Sequence, residues 1–168
     1  MNITDFLLAE LNREVERSRR ALQEVPEGKY DWKPHERSMI FGYLADMVAT
    51  IPTWITMQVT TNELDVAPAA ARIKQEPKTT SAALIQALDK SGAEARAALA
   101  GTTDEHLRTH WQLKARGAVV GDAPRFEMIQ DTINHWVHHR GQLTVYLRLM
   151  GAKVPALYGP SADDQNFR

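Results

Sequence analysis

At 168 residues the chain is one domain by length and can bury a sizeable core. With 43% apolar residues, 24% charged residues and a net charge of −1, it offers no electrostatic reason to expect a nucleic acid or an anionic membrane as partner. The lack of cysteine excludes disulfides, thiolate nucleophiles and zinc-thiolate centres.

Four amphipathic segments follow in chain order. The first runs from about Ile3 to Val25, where Leu7, Leu11, Val15 and Leu22 share a stripe and Ser18 fills its gap. Arg13, Glu14, Arg17 and Arg20 are expected to face away from it, and Pro26-Glu27-Gly28 stops it. Lys29 to Arg37 reads as a loop. Ser38 is the expected cap of the second segment, in which Ile40, Leu44, Met47, Ile51 and Ile55 recur at helical spacing. Pro52 lies inside that run and predicts a kink near Val48. Thr60 to Lys78, with Pro68 and Pro77, reads as the longest irregular connection. Thr79-Thr80-Ser81 then caps a third segment with Leu84, Leu88, Ala95 and Leu99 on its apolar face, ending at Gly101 and weakened by Gly92. Trp111-Gln112-Leu113 and Ala118-Val119-Val120, flanking Arg116-Gly117, predict a small β-hairpin. The fourth segment, about Phe126 to Met150, carries Ile129, Ile133, Trp136, Leu143 and Leu147 on one side and is closed by Gly151. The expected architecture is all-α: a single four-helix bundle domain with a hairpin between its third and fourth helices.

The chemistry concentrates in Asn134-His135-Trp136-Val137-His138-His139-Arg140-Gly141-Gln142. Residues four apart stack on one helix face, so His135 and His139 point the same way. That spacing is how one helix offers two nitrogen ligands to one divalent metal. Gln142 and Tyr146 extend the stripe. His138 is expected to face away from the pair. His106 and His110 form a second pair at the same spacing, expected at the surface near a helix end, and His35 sits in a loop. Arg140 and Arg148 are candidates either for an anionic substrate group or for salt bridges that clamp the C-terminal tail. The zinc-protease motif is excluded because Trp136 stands where its glutamate would be, and there is no phosphate loop or nucleophile elbow. Met1-Asn2-Ile3-Thr4-Asp5 lacks the basic n-region of a signal peptide and no apolar run reaches bilayer length, so the cytoplasm is the expected compartment.

His135-Trp136-Val137-His138-His139-Arg140-Gly141-Gln142-Leu143, with Tyr146-Leu147-Arg148 and the tail Pro155, Tyr158-Gly159-Pro160-Ser161-Ala162-Asp163, resembles the DinB-like (DinB/YfiT-type) family of four-helix proteins. Asp31-Trp32-Lys33-Pro34 and Ser38-Met39-Ile40-Phe41-Gly42-Tyr43-Leu44 extend the resemblance over most of the chain. It implies a bundle, often a homodimer, with zinc or nickel held by three histidines between its second and fourth helices. It also implies chemistry with low-molecular-weight thiols. Two of the three ligands match His135 and His139. The third position falls on Met47, whose thioether is a poor ligand for zinc or nickel. Asp46, one residue away, is the candidate auxiliary ligand, and Tyr43, Gln142 and Tyr146 are candidates for lining the substrate cleft.

Two functions stand side by side. In one, a divalent metal on His135 and His139 activates water or a small thiol for a transferase or hydrolase reaction. In the other, a non-catalytic dimeric bundle has lost its metal and binds a small ligand or a partner.

Overall fold

Leu7, Leu11, Val15, Ser18 and Leu22 are the buried face of α1 (Ile3–Gln23), as their spacing predicts. The structure, a computed structural model, describes residues 2–66 and 78–166, so Pro68 and Pro77 of the expected connection lie outside the described residues. The elements that follow are α2 (Phe41–Thr50), α3 (Pro52–Thr60), β1 (Glu63–Asp65), α4 (Ser81–Ala100), α5 (Asp104–Leu107), β2 (His110–Ala115), β3 (Ala118–Pro124) and α6 (Arg125–Leu149). Among the described residues the protein is therefore six helices and a three-stranded sheet, and not a bundle of four uninterrupted helices. Both α4 and α6 pack on α1 and on the α2–α3 segment, and the apolar stripes of these helices meet in one core.

The second segment breaks for a local chemical reason. Proline has no N–H, so Pro52 cannot donate to the carbonyl of Val48 four residues earlier. The chain turns at Ile51 and restarts with Pro52 at the first position of α3, where a missing N–H costs nothing. The carbonyl this frees is not left bare: Trp136 Nε1 donates to Val48 O at 2.7 Å. One turn position on, Ser91 Oγ from α4 donates to Ala49 O at 2.8 Å. The predicted kink is thus an interruption at the single residue Ile51, which keeps helical dihedrals, and it is bonded to both neighbouring helices.

Capping agrees with the sequence at one end and differs at another. Thr80 caps α4 by accepting from Ala83 N at 3.1 Å. Ser38 does not cap α2, which begins after Ile40 without a side-chain cap. Instead Phe41 N and Gly42 N donate to the carbonyls of Trp32 and Tyr30, which bind the preceding loop to the first turn of α2. Ile40 consequently lies outside the helix and is exposed rather than on the core stripe. Gly92 lets α4 approach α1 closely: a Cβ there would come within 3.1 Å of the Val15 side chain, which would have to give by a few tenths of an ångström. The weak spot in that helix's sequence is a close approach of two helices.

The hairpin forms, and its turn is Arg116-Gly117 with φ of 53° and 78°. Two successive positive φ values give the two-residue turn that matches strand twist. Against this hairpin lies β1, pairing in parallel with β2. Asp65 accepts from the N–H groups of Arg116 and Gly117 at 3.0 and 2.7 Å, so the strand end and the turn hold each other. The short α5 supplies Asp104, whose carboxylate accepts from Ile3 N and Thr4 N and caps α1 from a hundred residues away. No described helix is long and apolar enough to cross a membrane.

Candidate functional site

The two imidazoles predicted to share a face of α6 do meet. His135 Nε2 and His139 Nε2 are 3.0 Å apart, with the rings edge to face at a centroid distance of 4.4 Å. His139 is buried, whereas His135 has an exposed edge. His139 Nδ1 lies 2.9 Å from Gln142 Oε1. An amide oxygen only accepts, so Nδ1 carries the hydrogen and Nε2 turns its lone pair toward His135. Gln142 thus orients the His139 ring by accepting from its Nδ1, as carbonyl and carboxylate oxygens do behind metal-bound imidazoles.

Trp54 on α3 stacks over His135, with centroids 5.4 Å apart and planes 24° from parallel. Partial desolvation, then the neighbouring His139 and His138, push the His135 pKa below its ordinary value. It is thus neutral at pH 7 and able to accept a proton or a cation. His138 departs from expectation: its ring lies 5.3 Å from that of His139, beside the pair rather than away from it.

The other predicted residues are placed differently. Met47 is half-buried and packs against the core. Asp46 accepts from Lys78 Nζ at 2.6 Å and is engaged in that ion pair. Tyr43 is exposed. The Tyr146 hydroxyl donates to Met39 O at 3.2 Å, and its ring meets Trp32 edge-on at 5.6 Å, so it fastens the loop before α2. Two ligands each about 2.0–2.1 Å from one zinc stand roughly 2.9–3.4 Å apart. The histidine pair, at 3.0 Å, falls near the lower end of that range. Among the described residues, however, no group of three or more His, Asp or Glu side chains gathers at metal-holding spacing. The two imidazoles are placed to supply two bonds to one ion.

Arg140 acts as a clamp. Its guanidinium, 1% exposed, donates to Glu14 O at 3.1 Å, to Ser18 Oγ at 3.0 Å, and to Glu14 Oε2 and the Tyr158 hydroxyl. Tyr158 donates in turn to Glu14 Oε2 at 2.7 Å, and Arg17 pairs with the same carboxylate while lying 4.2 Å over the Tyr158 ring. Glu14, expected to face solvent, is buried because a cation and a hydroxyl from distant chain positions compensate its charge. Arg148 pairs with Asp163 at 2.6 Å, a second hold on the same tail. His106 and His110 are not a helical pair. His106, in α5, bonds Val59 O at 2.9 Å, and His110, on β2, pairs with Asp122 at 2.6 Å. His35 stays exposed in its loop.

Sequence reasoning missed Trp54. Only the helix restart at Pro52 places it over His135, and no pattern within α3 marks an exposed tryptophan as a roof. Two cavities, of about 520 and 480 Å³, lie elsewhere, and neither is lined by the histidine pair.

The family model described as the DinB family matches residues 1–166. Among solved structures, a DinB-like protein from Bacillus cereus ATCC 10987 superposes with a TM-score of 0.71 at 23% identity, covering 90% of this chain and 95% of that one. A DinB-like protein from Bacillus subtilis gives 0.66 at 18% identity, covering 86% and 92%. A third, from Exiguobacterium sibiricum 255-15, gives 0.62 at 20%, covering 90% and 93%. At these identities the likeness is one of fold. The uncharacterized protein YrdA of Bacillus subtilis (strain 168) is 37% identical over 62 residues, which span 34% of this chain and 37% of that protein.

Proposed function

The chain belongs to the DinB family, and on that premise we propose that the His135–His139 pair, at the seam of α3 and α6, binds a small molecule directly through its imidazoles and holds a divalent ion only weakly. The observation that carries this reading is the meeting of the two Nε2 atoms at 3.0 Å, with the His139 ring oriented by Gln142. With His139 Nε2 accepting from His135 Nε2, a neutral His135 beneath Trp54 keeps Nδ1 to accept a proton from a bound hydroxyl or thiol. Retention of an ion is weakened because the position matching the third ligand is Met47. Loss of even an outer-sphere partner costs roughly 10–100-fold in metal affinity, and loss of a direct ligand costs at least that.

Metal content of protein purified without a histidine tag tests the reading. We expect substoichiometric zinc and nickel, and none after dialysis against a chelator. A stoichiometric ion that survives dialysis overturns it.

A second reading, a metal-dependent transferase or hydrolase, is favoured by one observation: the imidazole separation suits two bonds to a single ion. An ion there would lower the pKa of water or a small thiol. Turnover of a thiol substrate that is abolished by chelator and restored by zinc or nickel would select this reading over the first. Either reading carries a homodimer and a cytoplasmic location as part of the proposal. Sedimentation equilibrium tests the first, with a monomer at micromolar concentration as the refuting result.

A further inference from the structure

We infer that the groove between the first turns of α1 and α6 binds a small organic cation with an apolar body, such as an arylalkyl ammonium. The groove has a volume of about 520 Å³, within the roughly 300–1,000 Å³ that small-molecule pockets occupy. Ile3 and Phe6 from α1 and Phe126 from α6 provide its apolar lining. Phe6 is 39% exposed, a large apolar surface left in water beside a cavity it could help fill with a ligand.

Charge selects the occupant. The lining residues include Glu127 and Asp131 but no lysine, arginine or histidine. Both carboxylates are exposed, and neither makes a hydrogen bond or ion pair among the described residues, unlike Asp104 of α5, which accepts from Ile3 N and Thr4 N at the start of α1. A placement in the first turn of α6 accounts for Glu127, because the helix dipole favours an acid there. It does not account for Asp131, one turn further on. Like charges four residues apart on a helix repel, and a cation seated between them removes that repulsion. An ammonium can at the same time lie over the face of a phenylalanine ring, where the quadrupole attracts it. A carboxylate ligand would add a third negative charge, and a neutral one would gain no attraction from either acid.

The test titrates full-length protein with phenethylammonium chloride and follows backbone amide chemical shifts. Its neutral and anionic comparators are 2-phenylethanol and 3-phenylpropionate. We expect shifts confined to amides around Ile3–Leu7 and Phe126–Asp131, with the ammonium binding about fivefold to tenfold tighter than the alcohol at low salt. The preference should shrink as salt rises, and the propionate should not bind. Glu127→Gln with Asp131→Asn should bring the ammonium down to the affinity of the alcohol while leaving the alcohol unchanged. Asp131→Asn alone should go part of the way, and both side chains are exposed, so the fold tolerates the change. Equal binding of ammonium and alcohol to the unaltered protein overturns the inference. So do binding of the propionate, shifts confined to another surface, and absence of any shift at millimolar probe.

Discussion

Replacing Arg140 by methionine should destabilise the protein far more than losing an ordinary surface charge, because it strands a carboxylate. The Glu14 and Arg140 side chains are 3% and 1% exposed, so neither is compensated by water. Removing one member of a buried pair costs about 3–5 kcal/mol. Arg17 and the Tyr158 hydroxyl still face Glu14 in the variant, which places the expected loss near the lower end, about 3 kcal/mol. For a domain of this size that lowers the melting temperature by roughly 6–12 °C. Urea denaturation followed by circular dichroism reads the loss directly. Glu14→Leu combined with Arg140→Met removes both charges and should recover most of it, since a buried pair replaced by apolar residues is often close to neutral. Acid supplies an independent check. Burial alone would raise the Glu14 pKa, but the Arg140 charge and the hydrogen bonds from Tyr158, Arg140 and Arg17 outweigh it and hold the carboxyl below its ordinary 4.5. A depressed carboxyl contributes stability that is present above about pH 4.5 and is lost as pH falls through its folded value. The gap between the native protein and Arg140→Met should therefore narrow as pH drops below 4.5. A single variant that loses under about 1 kcal/mol, or a double variant no more stable than the single, would refute the argument that Glu14 is charged and dependent on Arg140.

Three further outcomes are expected. Met47→His should tighten zinc or nickel binding by at least about 10–100-fold in calorimetric titration, and unchanged affinity would show that position 47 does not face the histidine pair. Trp136→Phe should cost about 2–3 kcal/mol in urea unfolding, because it takes the Nε1 donor from the carbonyl that Pro52 leaves without a partner; a loss below about 0.5 kcal/mol would mean that this carbonyl finds another donor. In Gly42→Ala the new Cβ would meet the Tyr30 ring at 2.2 Å, so that ring must shift from its place against α2. The expected loss is about 1–3 kcal/mol with a changed near-ultraviolet signal from Tyr30, and an unaltered melting curve would count against the tight loop contact.

The histidine pair was legible in the sequence because its geometry is internal to one helix: four residues on α6 bring the rings together whatever surrounds them. The break at Pro52, the Thr80 cap and the Arg116-Gly117 turn were legible for the same reason, since each follows from backbone chemistry within a few residues. Periodicity reports only the element that carries it. It assigned Glu14 to solvent because its partner stands 126 positions away, and it missed β1 because three residues are too few to show an alternation. Trp54 over His135, the engagement of Asp46 by Lys78 and the fastening of Tyr146 to Met39 are likewise products of packing between helices. Local chemistry decided where helices start, stop and turn. Tertiary packing decided which charges are buried and what surrounds the imidazoles, because desolvation and pairing depend on groups that only the folded chain brings together.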